Sequence, residues 1–215
     1  GIISSVDDNC ASVQWNQTCQ KMITVENAGN FLEEYSLSIV DKQGMDFEIT
    51  QEPFTLAKGE TSAPIPINLT TLSDAEGLDP ASATVLLQLS SGEIIDTIQI
   101  QSLTAPRVNW VWDSSADSVN NGRLEIVVTL RNDGNIADGL IVKMTSSYYT
   151  EMSFIPPNNA IVEDNSEYIR SFEMINIEKG SNFTFRAWAE IPDDQNSNDD
   201  FFLNITANSR LDENN

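Results

Sequence analysis

The amino-acid sequence predicts an all-β protein built from two tandem β-sandwiches of about seven strands each. Ser, Thr, Asn and short Val/Ile runs are abundant, whereas long helical stretches rich in Ala, Leu, Glu and Lys are missing. One stretch also occurs twice, as ITVENAGNFLEEYSLSIV at residues 23–40 and as VTLRNDGNIADGLIVKMT at residues 128–145. The length of 215 residues is sufficient for two domains, each with its own core.

The repeat consists of a β-rich run, an N-x-G-N turn and a second β-rich run. The matching residues keep one constant offset and are Asn27, Gly29 and Asn30 in the first copy and Asn132, Gly134 and Asn135 in the second. We expect the glycine to supply a positive φ and the Asn side chains to bond the neighbouring backbone. The repeat predicts two domains, residues 1–105 and 106–215, joined stiffly at Leu103–Pro106 by a connector without glycine.

In the first domain, alternating and β-branched segments predict the strands Ile2–Val6, Lys21–Glu26, Tyr35–Val40, Met45–Thr50, Phe54–Leu56, Ala63–Leu69, Thr84–Leu89 and Glu93–Gln101. The last two are expected to form a hairpin. Pro64 and Pro66 remove ladder donors on one side of their strand, which predicts that it lies at a sheet edge or switches sheets. The polar segment Thr71–Ala81 is predicted to be a loop. This strand count is typical of an immunoglobulin-like sandwich.

The second domain repeats this plan. Its predicted strands are Val108–Trp112, Leu124–Arg131, Leu140–Thr145, Phe183–Ile191 and Phe201–Ser209. The Lys-Gly turn at Leu56–Gly59 has its counterpart at Ile177–Gly180. Two polar segments, Asp113–Gly122 and Pro192–Asp200, are predicted to be loops, and any binding specificity is expected there or in the cysteine loop.

Cys10 and Cys19 are the two cysteines of the chain. Their close spacing and polar surroundings predict a disulfide and an oxidising compartment, with two free thiols in a cytosolic protein as the alternative. A zinc site is not expected, because the sequence contains no further Cys and no His. The repeat offset aligns these cysteines with Ser115 and Leu124, which places the cysteine loop between the first two strands.

The formal net charge of −22 excludes several partners. A chain this acidic repels phosphate backbones and anionic lipid surfaces, so we expect no nucleic-acid binding. The acids are spread evenly, with 15 in residues 1–105 and 18 in residues 106–215. They either keep the protein soluble in a salty medium or, in part, coordinate divalent cations. No apolar run is long enough to cross a bilayer and no signal peptide is apparent, so membrane insertion is not expected in this mature chain or fragment.

The sequence offers no catalytic motif. It lacks His, a G-x-S-x-G elbow, a P-loop and a dinucleotide fingerprint. Paired carboxylates can hydrolyse glycosides, but such pairs arise by chance among 33 acidic residues. We therefore expect no enzymatic activity and no required cofactor.

Three kinds of binding site remain open. Oxygen ligands for Ca²⁺ are densest in one loop, at Asp193, Asp194, Asn196, Asn198, Asp199 and Asp200, with weaker groups at Asp113, Asp117 and Asn120 and at Asp7, Asp8 and Asn9. A solvated acidic loop is the alternative. The glycosylation motif N-x-[ST] occurs at Asn16, Asn68, Asn182 and Asn204, about as often as this composition produces by chance. Trp15, Trp110 and Trp112 either stack on a sugar or fill the core and module contacts.

The order of strand, N-x-G-N turn, strand, Lys-Gly turn and closing strands resembles the CARDB-type (cell-adhesion-related) immunoglobulin-like modules of bacterial and archaeal surface and secreted proteins. The resemblance covers both halves and implies an extracellular spacer, adhesive or assembly module without catalytic residues, whose partners are other copies or neighbouring domains. The Cys10–Cys19 pair departs from the family pattern. The alternatives are carbohydrate- or substrate-binding accessory domains of a larger secreted hydrolase, and calcium-dependent adhesive repeats.

Overall fold

A computed structural model describes residues 1–5, 9–163, 169–192 and 201–211 of the chain. Every regular element in these residues is a β-strand, which confirms the predicted all-β fold class of tandem sandwiches. The strands belong to two units, Gly1–Arg107 and Val108–Asn215. The division predicted after residue 105 lies within two residues of this boundary.

The described residues of unit 1 form two facing sheets. Their strands are β1 (Ile2–Ser5), β2 (Ser12–Val13), β3 (Thr18–Glu26), β4 (Glu33–Gln43), β5 (Met45–Ile49), β6 (Phe54–Leu56), β7 (Ile65–Thr71), β8 (Pro80–Leu89) and β9 (Ile94–Thr104). One sheet has the order β1-β3-β7-β5 and the other β2-β9-β8-β4-β6. All pairings are antiparallel except that of β2 with β9. The expected hairpin is formed by β8 and β9.

Strict alternation of buried and half-buried residues places the core of unit 1 between these sheets. In β7, Ile65, Ile67 and Leu69 are buried, and the residues between them are only partly covered. Tyr35 from β4 and Phe47 from β5 are the largest side chains in this core. Burial of the Tyr35 phenol raises its pKa, and the nearby Glu33 carboxylate adds to the effect.

Unit 2 also forms two sheets in its described residues. Its strands are β10 (Trp110–Asn120), β11 (Arg123–Asn132), β12 (Asp138–Ser146), β13 (Met152–Ile155), β14 (Ile161–Glu163), β15 (Ile169–Ile177), β16 (Asn182–Glu190) and β17 (Leu203–Ser209). The sheet orders are β10-β11-β16-β13 and β14-β15-β12-β17. The core is aromatic, because Phe172 makes edge contacts with Phe154 and Phe185 at centroid distances of 4.9 and 5.2 Å.

The pairing patterns show which strands of the two units correspond. In the first sheet, β1, β3, β7 and β5 match β10, β11, β16 and β13; in the second, β6, β4 and β8 match β15, β12 and β17. Two strands of unit 1, β2 and β9, have no counterpart among the described residues of unit 2. Conversely, β14 is an addition of unit 2.

The first Asn of each N-x-G-N turn makes hydrogen bonds with both its side chain and its backbone. Asn27 is completely buried, and its Nδ2 donates to the carbonyls of Phe31 at 2.8 Å and Leu56 at 2.9 Å. Its Oδ1 accepts from the Gly29 amide at 2.9 Å. Its backbone N–H donates to the Glu60 carbonyl and its carbonyl accepts from the Gly59 amide. Asn27 therefore joins its own turn to β6 and to the Lys-Gly turn.

Asn132 makes the same bonds in unit 2. Its Nδ2 donates to the carbonyls of Ile136 and Ile177, each at 2.9 Å, and its Oδ1 accepts from the Gly134 amide at 2.9 Å. Its backbone pairs with Ser181 and Gly180. We call this arrangement the Asn clamp. The predicted bonding of an Asn side chain to the neighbouring backbone is thus present in both copies for the first Asn of the turn.

Gly29 and Gly134 do not have the predicted positive φ, so that expectation is wrong. A Cβ on Gly29 would lie 2.9 Å from Asn27 Oδ1, so glycine is needed there for close approach of the clamp side chain. Positive φ occurs instead in the Lys-Gly turns, at Gly59 (72°) and Gly180 (74°). The last Asn of each turn differs between the copies, because Asn30 is exposed whereas Asn135 is buried.

The predicted loop Asp113–Gly122 is wrong, because this segment is the greater part of strand β10 followed by the turn of a hairpin. β10 runs to Asn120 and pairs with β11, with a register shift between Trp112 and Ser114. Asn121 and Gly122 form the two-residue turn, with φ of 51° and 77°. Asn-Gly is the dipeptide that supplies two positive φ angles most easily, and it is a strong hairpin signal.

The proline-bearing strand is also misplaced in the prediction, since β7 lies inside its sheet between β3 and β5. The register explains why prolines are tolerated. Pro66 is opposite Met22 on β3, but β5 reaches only as far as Ile67, where it is paired with Ile49. Pro66 therefore has a strand on one side only, and its missing N–H leaves no gap in the β5 ladder.

Other differences concern the ends of strands. Leu103 and Thr104, predicted to belong to the connector, end β9, and Pro80 and Ala81, predicted to end a loop, begin β8. The sequence did not predict β13, β14 or β15 in unit 2. These strands lie between the clamp and the Lys-Gly turn, a segment that is longer in unit 2 than in unit 1 and that includes the additional strand β14.

We predict that Asn27→Ala lowers the free energy of unfolding of unit 1 by about 2–4 kcal/mol, because the buried bond to the Leu56 carbonyl and the part-buried bonds to the Phe31 carbonyl and the Gly29 amide are lost. Urea unfolding followed by tryptophan fluorescence measures this. Asn132→Ala should have the same effect on unit 2. The matched control is Asn30→Ala, an exposed position of the same turn, where we expect a change within about 0.5 kcal/mol. Equal effects of Asn27→Ala and Asn30→Ala would contradict a clamp role.

Candidate functional site

The cysteine loop, residues 10–19, was the first candidate for specificity. The predicted disulfide is present, with the Cα atoms of Cys10 and Cys19 5.9 Å apart. Cys10 is completely buried and Val13 nearly so, whereas most other residues of the loop are exposed. The loop thus has a buried base, which the disulfide ties to β3.

The same loop carries the chain from one sheet to the other. β1 pairs with β3, whereas β2, inside the loop, pairs with β9 in the facing sheet. Ser102 Oγ donates to the Cys10 carbonyl at 2.7 Å. The amides of Leu103 and Ala105 donate to the carbonyls of Ala11 at 3.1 Å and Val13 at 2.8 Å. The cysteine loop therefore holds the last strand of unit 1, which is a structural task.

Trp15 at the tip of this loop is half-buried, and the Arg107 guanidinium lies 4.7 Å from its ring centroid. This cation–π contact occupies one face of the indole, so that face is not available for stacking on a ligand. Arg107 is the last residue of unit 1. The cysteine loop therefore also contacts a residue that follows the end of β9.

The tryptophans of unit 2 have different surroundings. Trp110 packs edge-on against Phe183 at 6.0 Å, and its Nε1 donates to Asp138 Oδ2 at 2.8 Å. Trp188 lies beneath the Arg123 guanidinium at 3.9 Å. Trp112 is 48% exposed and is the most accessible indole of the described residues. The core role proposed for such residues thus fits Trp110, and a ligand-stacking role fits only Trp112.

A second exposed aromatic group lies where β12 ends and β17 begins. Tyr148 stacks on Phe201 at 6.5 Å, while Tyr149 and Phe202 are 61% and 62% exposed. The Ser147 amide donates to the Phe202 carbonyl and Ser147 Oγ accepts from the Phe202 amide, each at 3.0 Å. The sequence alone does not show that Tyr148 lies beside Phe201, because the strand pairing that joins them is non-local.

The calcium loop, Asp193, Asp194, Asn196, Asn198, Asp199 and Asp200, lies outside the described residues, as do Asp7 and Asp8. Asp113, Asp117 and Asn120 are spread along the exposed strand β10. Asp113 pairs with Arg131 at 3.3 Å, and hydrogen bonding of Arg131 to Asp133 raises the pKa of its guanidinium, with both carboxylates adding to the rise. Within the described residues, no group of three or more His, Cys, Asp or Glu side chains is placed to hold a metal ion.

The four N-x-[ST] motifs differ in accessibility. Asn16, Asn182 and Asn204 are exposed, and Asn16 lies at the tip of the cysteine loop with φ of 57°. Asn68 is half-buried in the middle of β7, where its Oδ1 accepts from Gln20 Nε2 at 3.1 Å. A glycan can be accommodated on the first three positions, whereas Asn68 is engaged in the sheet.

No helix in the described part of the chain is long and apolar enough to cross a membrane.

Arg210 forms an ion pair near the end of unit 2. Its guanidinium lies 2.9 Å from Glu173 Oε1, and its side chain passes directly over Gly139, where a Cβ would approach Arg210 Cγ to 2.9 Å. Arg210 thus links the end of β17 to β15 across β12.

No protein-family model matches the chain, and no curated protein matches it. Solved structures with similar folds include the secreted serine protease VesC of Vibrio cholerae, at 10% identity, 96% coverage of this chain and a TM-score of 0.32. The chain spans half the length of VesC. The collagen adhesin CNA of S. aureus is 8% identical, with 97% of this chain and 94% of CNA covered and a TM-score of 0.31.

The collagen-binding domain of the Erysipelothrix rhusiopathiae surface protein RspB is 9% identical, with 97% of this chain and 86% of RspB covered and a TM-score of 0.32. The protease activity and the collagen binding that these names describe are properties of those proteins.

We predict that reducing the disulfide lowers the stability of unit 1 by about 2–3 kcal/mol and leaves unit 2, which has no cysteine, unchanged. Thermal unfolding with and without a phosphine reductant measures this, and unit 2 serves as the control within the same molecule. Hydrogen exchange should rise at residues 102–105, because their bonds to the cysteine loop loosen. An unchanged unit 1 would show that the loop holds β9 without the disulfide.

Proposed function

We propose that this chain is a pair of CARDB-type immunoglobulin-like modules that acts by architecture, as a non-enzymatic spacer, adhesive or assembly unit of an extracellular or cell-surface protein. The observation that carries the proposal is the Asn clamp, present bond for bond in both units. What the two units share is a device that fixes strands and turns. Among the residues that the structure describes, no feature shared by the two units gathers three or more His, Cys, Asp or Glu side chains around a possible metal site.

The disulfide supports the extracellular setting. Structural disulfides persist in oxidising compartments and are rare where thiols are kept reduced. Cys10 and Cys19 close a loop that is hydrogen-bonded to β9, so the disulfide stabilises the fold. The 33 acidic residues against 11 basic ones support a surface exposed to salt or cations, where screening reduces self-repulsion.

A spacer that transmits tension must unfold in discrete, cooperative steps. We predict two force peaks, one per unit, when the chain is stretched between handles at its two termini in single-molecule force spectroscopy. Reduction should lengthen only the unit 1 step, by about 30 Å, because a sequence separation of 9 residues at about 3.6 Å each is released. Gradual extension without peaks would contradict a load-bearing role.

A carbohydrate-binding accessory role is favoured by one observation, the exposed indole of Trp112. Aromatic faces bind sugars by stacking on their apolar ring faces. If this role is correct, a glycan array should show binding that Trp112→Ala abolishes. Trp188→Ala is the matched control, because Trp188 is covered by Arg123 and its loss should leave binding within about twofold. An array without specific binding would leave the architectural role alone.

A further inference from the structure

The outer side of β4 is paired over a shorter length than the outer side of its counterpart β12. β12 pairs with β15 at residues 140–145, whereas β4 pairs with β6 only at residues 33–35. Residues 9–107 are described without a gap, and no strand among them pairs with residues 36–40 on this side of β4. Unit 1 therefore has a length of unpaired strand edge where unit 2 has a complete ladder.

The inward-facing residues of β4 are also less buried than those of β12. Leu37 and Ile39 follow their clamp Asn by the same numbers of residues as Val142 and Met144 do. Val142 and Met144 are 0% exposed, whereas Leu37 and Ile39 are only half-buried. On the outer side of β12, β15 places Phe172 opposite Val142. β15 thus supplies cover in unit 2 that β6 is too short to supply in unit 1.

Phe172 fills the space between the facing sheets on this side of unit 2. It is completely buried, and its ring centroid lies 4.9 Å from that of Phe154 on β13. The strand register makes Ile49 of β5 the counterpart of Phe154. In unit 1, Leu37 and Ile49, the counterparts of the two residues beside Phe172, line a groove of about 560 Å³ between β4 and β5. This β4–β5 groove has an apolar lining of Leu37, Ile39, Phe47 and Ile49.

The charged residues of the groove are mostly acidic. Asp46 and Glu48 of β5 are exposed and line the groove together with Lys42. Residues 33–52 contain six acidic residues, and Lys42 is their single basic residue. Exposed charges on an edge strand discourage pairing with a strand of like charge. A second copy of this chain, with its net charge of −22, is therefore disfavoured, whereas a strand that carries Lys or Arg is attracted.

We propose that the β4–β5 groove accepts an extended strand from a different, basic protein. The strand pairs with residues 36–40 of β4, as β15 pairs with β12, and inserts an aromatic side chain between Leu37 and Ile49. Lys or Arg residues beside this aromatic side chain face Asp46 and Glu48. Main-chain hydrogen bonds provide affinity, the aromatic residue fixes the register, and the basic residues select the partner. This inference rests on the proposed assembly function, because it names the kind of partner.

The test uses the full chain and a fluorescein-labelled peptide that copies residues 169–177 of β15 with the change Glu173→Lys. We expect saturable binding in fluorescence anisotropy with a Kd below about 100 µM at low salt, and weaker binding as salt is added. The matched peptide that keeps Glu173 should bind at least about threefold more weakly. A peptide with Asn in place of the residue that copies Phe172 should fail to bind, which tests the aromatic contact without altering the protein.

Two matched variants of the protein test the acidic residues of the groove. Glu48→Lys should weaken binding at least about fivefold, because it places a like charge beside the lysine of the peptide. Glu93→Lys changes the net charge equally at an exposed position that does not line the groove, and should change the affinity by less than about twofold. Equal weakening by both variants would show that net charge alone attracts the peptide, and the assignment to the groove would be wrong.

Hydrogen exchange locates the bound peptide. Protection of residues 36–40 supports the proposal, whereas protection confined to unit 2, where the peptide can replace β15, overturns it. The absence of saturable binding up to about 1 mM also overturns it. Two intact force peaks beside absent peptide binding would reject this inference and leave the proposed function standing.

Discussion

One buried asparagine per unit determines how the strands of that unit are joined. Asn27 uses both amide hydrogens, its side-chain oxygen and both backbone polar groups to tie its turn, β6 and the Lys-Gly turn together. A polar side chain inside a sandwich costs free energy unless all its groups are bonded, and here they are. Because any change of turn length would leave several buried groups unpaired, the clamp fixes both turns and the sheet spacing between them.

Apart from the clamp, the two units differ in the path of the chain between their first two strands. Unit 1 uses its cysteine loop to cross between sheets and to hold β9, and the disulfide and the Trp15–Arg107 contact reinforce that path. Unit 2 turns back at Asn121-Gly122 and keeps β10 beside β11. Unit 2 thus has a two-residue turn with positive φ angles where unit 1 has a disulfide-bonded loop that crosses between the sheets. Among the described residues, the second sheet has five strands in unit 1 and four in unit 2.

The sequence was sufficient to predict the strands that alternate cleanly and the turns that repeat, because both depend on neighbouring residues. Asn27 and Asn132 could be recognised from their constant offset, although their burial could not. The Asp113–Gly122 error came from reading a polar segment as a loop although it carries an Asn-Gly hairpin signal. The position of β7 inside a sheet depends on where β5 stops, at Ile49, and such non-local pairing leaves no local pattern.

The difference between β8 and β17 is informative because the two strands sit on equivalent partners. β4 and β12 present the same register to them, so the lower burial of Leu203, Ile205 and Ala207 is not a consequence of how these strands pair with their inner neighbour. In unit 1, Ile98 and Ile100 of β9 cover the outer side of β8, whereas no described strand of unit 2 pairs with the outer side of β17. Covering apolar area of this kind stabilises a fold by roughly 25 cal/mol per Å².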